Sequence, residues 1–276
     1  VTLSSALRFD RDQRRQQDMN SGAVREAAYS KWQPKVTLTQ KLGRDQLVYG
    51  TLSTGFRSGG FNAPGLASFK PESLSNAEIG TKLALQEGRL LFNLAAFVSR
   101  SKDFQYFYVD VGSGSQVIAN LDKVNIKGLD LDFRWLPIKG LEFDGGLGIT
   151  DSSIAKDSVT PGNAGHHTPK NVPFKLNLGA QYSQALTAGL VGTVRVDAEH
   201  RDKKYWHPDN AAVSPALDLL GLRVGDAIDW PLPVSTTTRT ASSTPASAKA
   251  ASSASRVAAF SAFSLSGRWM VIVRTP

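Results

Sequence analysis

"GLDLDFRWL", residues 128–136, puts Leu129, Leu131, Phe133 and Trp135 on one face of an extended chain and Asp130, Asp132 and Arg134 on the other. Strict period-two alternation is the mark of a β-strand with one oily and one wet side. Outward from it the pattern repeats. "GLEFDGGLGI" (140–149) sets Leu141, Phe143, Leu147 and Ile149 against Glu142, Asp144, Gly146 and Gly148. "KLNLGAQY" (175–182) sets Leu176, Leu178, Ala180 and Tyr182 against Lys175, Asn177, Gly179 and Gln181. "LTAGLVGTVRVDAEH" (186–200) sets Leu190, Val194 and Val196 against Thr193, Arg195, Asp197 and Glu199. A helix over "NAEIGTKLALQEGRLLFNLAAF" is interrupted by Gly80 and Gly88, and Gln86-Glu87-Gly88-Arg89 reads as a tight turn. The fold class expected is all-β.

Strands are expected near 1–9, 31–42, 46–56, 76–86, 89–100, 121–135, 140–151, 172–183, 186–199 and 217–225. Their connections alternate. Short ones fall at Gly43-Arg44-Asp45, Glu87-Gly88, Pro137-Ile138-Lys139 and Gln184-Ala185, and long ones at 10–30, 57–75, 101–120, 152–171 and 200–216. Long loops at one end and short turns at the other describe an antiparallel transmembrane barrel, whose strands need roughly 9–11 residues to cross. Trp32, Tyr49, Phe56, Tyr106-Phe107-Tyr108, Trp135, Tyr205 and Trp206 fall near the expected strand ends, where rings sit at headgroup level. The rival is a soluble sandwich with ordinary rim aromatics.

Composition narrows the classes. The chain has 276 residues and no cysteine, so disulfides and thiolate metal sites are excluded. No stretch approaches the roughly 20 apolar residues of a membrane helix. The opening "VTLSSALRFDRD" lacks a signal-peptide pattern and reads as a strand already under way. The net charge is +8, but Arg239, Lys249, Arg256, Arg268 and Arg274 in the acid-free stretch 231–276 supply much of it. Elsewhere both signs are interleaved, without a basic stripe, so a nucleic-acid partner is not expected.

"YGTLSTGFRSGGFNAP" (49–64), followed by "PESLSNAEIGTKLALQEGRLLFNLAAF" (71–97), carries a family resemblance. Gly55, Phe56, Gly59, Gly60, Phe61 and Asn62, then Pro71, Glu72, Asn76, Glu78, Gly80 and Lys82, resemble the strand exit and following strand of TonB-dependent outer-membrane receptors. "KWQPKVTLTQKL" upstream, and "FQYF", "IAN", "KGLDLDF" and "LEFDGGLGITDSSI" downstream, agree with it. The resemblance covers roughly residues 1–225. It implies about ten strands from the C-terminal part of a barrel of about 22, and hence a fragment without transport competence of its own. It further implies a bacterial outer-membrane location and contact with outer-membrane lipid. Ferric siderophore or another scarce nutrient would be the ligand, and a TonB energy-transducing complex would couple through a region absent here. No cofactor and no enzymatic activity are implied. The motif is expected to be structural: Gly59-Gly60 supplying unusual backbone angles, Phe56 and Phe61 anchoring the strand exit at the interface, Arg57 snorkelling. A non-transporting surface adhesin or a soluble β-sandwich carbohydrate-binding module are the alternatives.

Other candidates are weaker. His166-His167 in "GNAGHHTPKNVP" reads either as a metal or ligand contact or as solvated loop histidines. Glu142 with Asp144, or Asp130 with Asp132, lie in file along one wet face, which suits a lumen wall better than an acid/base pair. "GSGS" (112–115) is not followed by a helix pattern and is no phosphate loop. From about 231, "PLPVSTTTRTASSTPASAKAASSASRVAAFSAFS" departs from barrel chemistry. It reads as a disordered extension or a reading-frame slip, leaving the barrel domain at 1–230 and an atypical tail at 231–276 without a sealing strand.

Overall fold

The computed structural model describes residues 1–228, apart from 111, 113 and 188, together with 269–274. In chain order the strands are β1 (Thr2–Gln17), β2 (Val24–Lys41), β3 (Gln46–Arg57), β4 (Glu72–Leu85), β5 (Leu90–Val109), β6 (Gln116–Trp135) and β7 (Leu141–Lys156). They continue with β8 (Phe174–Thr187), β9 (Leu190–Arg201), β10 (Lys204–Tyr205), β11 (Val213–Ser214), β12 (Leu217–Ile228) and β13 (Trp269–Arg274). One antiparallel sheet of eleven strands runs in the order β1 to β9, then β12 and β13, with β10 and β11 forming a small separate ribbon. The only helical element among the described residues is a 3-10 turn at Pro161–Asn163.

Register makes the two faces continuous across strands. Leu94, Leu131, Leu147 and Leu176 lie in one row, and Phe92, Phe133, Gly145, Leu178, Ala198 and Leu220 in the next. On the opposite face Asp132 stands beside Gly146 and Asn177. The apolar rows stay open: Leu52, Ile79, Val98, Leu178, Val196 and Leu222 are all exposed. Prolines aside, the buried apolar side chains among the described residues are Val117, Leu121, Val124 and Ile154. A soluble sandwich would cover its apolar face with a second sheet; here no described element does. This is a wall that needs hydrocarbon against one side.

The ten expected strands are present, with the short turns at one end, but they run further at the other. β1 extends to Gln17 and β2 begins at Val24, so most of the loop expected at 10–30 is hairpin, and β5 and β6 consume most of 101–120. In "RDQRRQQ" and "VREAAYSK" neither face is consistently apolar. Such segments stand clear of lipid and solvate both faces, so period-two alternation disappears although the ladder hydrogen bonds continue. The remaining long connections are 58–71, 157–173 and 202–216. The turn at 86–89 carries Gln86, Glu87 and Gly88 through φ of 53°, 59° and 84°.

Two further expectations change. Residues 269–274 pair with β12 from Leu219 to Val224 as an eleventh strand, which the reading of the tail did not foresee. The Ala/Ser/Thr-rich run up to 268 lies outside the described residues. Tyr49 is not an interfacial ring: it shares the polar face with Thr51 and Glu78. Trp32, by contrast, sits in mid-β2, packed against Phe9 at a ring-centroid distance of 4.6 Å. Counting roughly 9–11 residues up from the turn after Lys41 brings Trp32 to the outer edge of the bilayer. Trp135 and Phe143, 5.9 Å apart, mark the inner edge beside the short turns.

Candidate functional site

The segment from Gly55 to Asn62 leaves β3 and folds over the top of the sheet. Ser58 donates to Asp12 on β1 at 2.6 Å, an interaction that lowers the Asp12 pKa, and Arg14 donates back to Ser58 at 2.9 Å. Gly60 and Phe69 exchange backbone hydrogen bonds at 3.0 Å in each direction. A Cβ on Gly59 would lie 2.7 Å from the Phe69 carbonyl oxygen and 2.8 Å from the Tyr29 ring; one on Gly60 would lie 2.6 Å from the Phe69 ring. Neither glycine has a positive φ. The expectation of unusual backbone angles is therefore corrected: these positions need glycine for space, because the loop doubles back onto itself.

Phe61 is also corrected. Its ring lies under the Arg25 guanidinium, 5.2 Å from the centroid, inside the loop assembly rather than at the lipid interface. Asn62 is buried and closes the structure: its side-chain amide donates to the carbonyls of Ala67 (2.7 Å) and Ile118 (2.8 Å), and its oxygen accepts from the Ile118 N–H at 2.8 Å. A carboxamide thus pairs with backbone as a neighbouring strand would. Gly55 stands opposite Leu74 on the polar side, and Phe56 opposite Ser73 on the lipid side.

The second half of the motif lies on β4 with a single logic. Glu72, Asn76, Glu78, Gly80 and Lys82 are spaced in twos and fours, so all share the polar face. Glu72 accepts from the Ser101 hydroxyl (2.8 Å) and the Gln105 N–H (3.1 Å); Asn76 accepts from Ser99 (2.6 Å); Glu78 accepts from the Tyr49 hydroxyl (2.8 Å). Gly80 leaves room for the Tyr49 ring, which a Cβ would meet at 2.6 Å. Lys82 stands level with Leu47 and Asn93, and Pro71 immediately precedes the strand. Sequence reading named Tyr49 as well, but as an interfacial ring and not as the partner that Glu78 and Gly80 serve.

Further along the polar face runs an ionic ladder. Arg195 on β9 pairs with Asp144 at 2.6 and 2.9 Å and with Asp197 at 2.8 Å, and Asp197 accepts from Arg223 at 2.6 Å. Arg134 holds Glu142 at 2.6 and 3.0 Å. Glu142 and Asp144 are thus each committed to an arginine, the arrangement of a wall and not of an acid/base pair. Asp132 and Asn177 converge over Gly146.

At the loop end the connections 157–173 and 202–216 clasp one another. His166 Nδ1 lies 3.0 Å from the Pro208 carbonyl, which places its proton on Nδ1. The His167 N–H donates to Asn210 at 2.9 Å, and the His167 ring stacks on Tyr205 at 5.6 Å. The two histidines hold different parts of the facing loop, and among the described residues no group of three or more His, Cys, Asp or Glu is placed to hold a metal. Beneath them Leu121, Val124 and Ile154 form a small core with Phe104, Tyr106 and Ile126. Burial pushes the Tyr106 pKa up to about 12, with Tyr108, Asp157 and Asp209 adding to the effect. Lys170 Nζ sits 2.7 Å from the Phe107 ring centroid and 5.8 Å from that of Trp206, and Lys204 lies 4.8 Å from Trp206. Burial, then the charge of Lys204, lower the Lys170 pKa.

An eleven-stranded antiparallel sheet with one apolar and one charged face, short turns at one end and clasped loops at the other has the construction of an outer-membrane β-barrel wall. The family described as TonB dependent receptor-like, beta-barrel, matches residues 1–269, and this chain belongs to it. It is an outer-membrane protein. Solved structures share the fold. The ferric yersiniabactin uptake receptor FyuA of Yersinia pestis is 17% identical with a TM-score of 0.66, over 81% of this chain and 35% of that one. BauA, the ferric preacinetobactin receptor of Acinetobacter baumannii, is 22% identical with a TM-score of 0.61, over 81% and 33%. The copper transporter OprC is 14% identical with a TM-score of 0.60, over 81% and 37%. The chain therefore spans about a third of the length of the structures it matches.

Proposed function

We propose that this chain is part of the barrel wall of a TonB-coupled receptor that takes up a ferric siderophore or similar metal chelate, and that it has no enzymatic role. Membership of the receptor family carries the reading. The loop end supports it: Lys170, Lys203 and Lys204 stand over Phe107, Trp206 and Tyr205, a combination suited to an anionic chelate with aromatic groups. His166 and His167 belong to this proposal as residues that shape the loops. Polar-face carboxylates held by arginines favour a passage wall over a hydrolytic site. A non-transporting adhesin remains the competing reading and would give a receptor without energy-dependent uptake.

Uptake of labelled ferric chelates in a receptor-deleted strain expressing the whole receptor tests the reading. Transport should be lost with the proton-motive force and weakened by K170A/W206A; uptake indifferent to both counts against it. The 276-residue chain alone should not transport. Among the described residues β1 and β13 each pair with one neighbour, and open edges are not tolerated in hydrocarbon. The boundary near 230, and a frame slip beyond it, belong to the same proposal; the parent gene read in all three frames across codons 225 to 276 tests them.

A further inference from the structure

Immediately above the apolar band, the lipid-side face turns basic on three adjacent strands. Register sets Lys102 on β5, Lys123 on β6 and Lys156 on β7 side by side, with Arg100 beside Asn125 and Lys127 beside Asp151. All five cations are exposed. Lys127 pairs with Asp151 at 3.2 Å, whereas Arg100, Lys102, Lys123 and Lys156 make no ion pair with a described residue. Asp122 lies close enough to feel the charge of Lys156, but its carboxylate is held by the Ser158 N–H. Like charges placed directly opposite across strands repel, and among the described residues no carboxylate forms an ion pair with Lys102, Lys123 or Lys156.

The height and the neighbours of these lysines say where a counter-ion comes from. Arg100 stands ten residues above Leu90, the start of β5. With the usual strand tilt this is roughly 25 Å, the height of the apolar band of such barrels, so the lysine row lies at headgroup level. Directly below runs an apolar furrow lined by Leu52, Ile79, Val98, Leu129 and Ile149, with Lys127 at its upper end. Gly50, Ala77 and Ala96 form its floor, small residues that leave the depth of an acyl chain unfilled.

We propose that Lys102, Lys123 and Lys156, flanked by Arg100 and Lys127, bind the headgroup of a phosphate-bearing lipid of the outer leaflet, with an acyl chain in the furrow below. Each basic side chain near a membrane surface adds appreciably to the attraction of an anionic headgroup, and three side by side match a headgroup with more than one phosphate. The site is independent of which nutrient the receptor imports.

The test uses the whole receptor that contains this chain, purified in mild detergent and mixed with bis-phosphorylated lipid A or with its dephosphorylated form, with bound lipid counted by native mass spectrometry. The unchanged protein should retain the phosphorylated lipid and not the dephosphorylated one. K102Q/K123Q/K156Q should bind it at least about tenfold more weakly. K35Q/K82Q/K175Q removes the same charge from the polar face and should bind like the unchanged protein. Equal binding by the two triple variants, or equal binding of the two lipids by the unchanged protein, overturns the site. Displacement by inorganic phosphate at the concentration of the lipid would show that a free anion, not a lipid, is the occupant.

Discussion

The guanidinium of Arg195 on β9 crosses the bare backbone of Gly179 on β8 to grip the carboxylate of Asp144 on β7, with bonds of 2.6 and 2.9 Å spanning two strand intervals. A Cβ on Gly179 would lie 2.7 Å from Asp144 Oδ2 and would also strike the guanidinium. The ladder that ties β7, β9 and β12 together depends on that missing side chain.

Gly179→Val should therefore break the pair and cost about 1–3 kcal/mol, the range for stranding a partly desolvated charged hydrogen bond. In urea unfolding from detergent, the loss should be less than additive with Asp144→Ala, since both remove one interaction. Fully additive losses would mean that Gly179 matters for another reason.

The two faces differ in their tolerance of charge. Leu131→Arg, near the middle of the span, should destabilise by about 2–4 kcal/mol, whereas Asp132→Arg should cost far less. Their side chains lie on opposite faces in the observed register. Comparable losses at the two positions would place both faces in the same solvent and remove the membrane reading.

Space, not backbone angle, is what Gly60 provides, and the two are separable by rescue. Gly60→Ala should loosen the 58–71 loop and increase its proteolysis. Adding Phe69→Ala, which removes the ring the new Cβ would meet at 2.6 Å, should restore protection. A glycine required for positive φ cannot be rescued by a distant truncation.

Tyr106 gives the loop end a pH dependence. Its folded pKa of about 12 lies above the ordinary value of 10, so the fold favours the neutral phenol. That contribution is complete below about pH 10 and is lost as pH rises towards about 12. Loop protection from proteolysis should fall across this window in the unchanged protein and remain flat there in Tyr106→Phe. An identical fall in both would assign the transition to other groups.

Alternation in "GLDLDFRWL" and its neighbours was enough to assign the strands, the lipid side and the direction of the connections, because side-chain period is a local property and hydrocarbon demands it on every crossing strand. Resemblance in the β3–β4 segment located the motif, yet not its purpose. Above the bilayer β1 and β2 meet water on both faces while loops cover one face of β5 and β6, so the pattern lapses, and only the hydrogen-bonded ladder shows that these strands continue. The reason Gly59 and Gly60 carry no side chain lies in Phe69 and Tyr29. The partners of Asp144 and Glu78 lie on other strands, at Arg195 and Tyr49. Such pairings depend on register summed over several strands and on a loop folding back over the rim. Tertiary structure alone decided them.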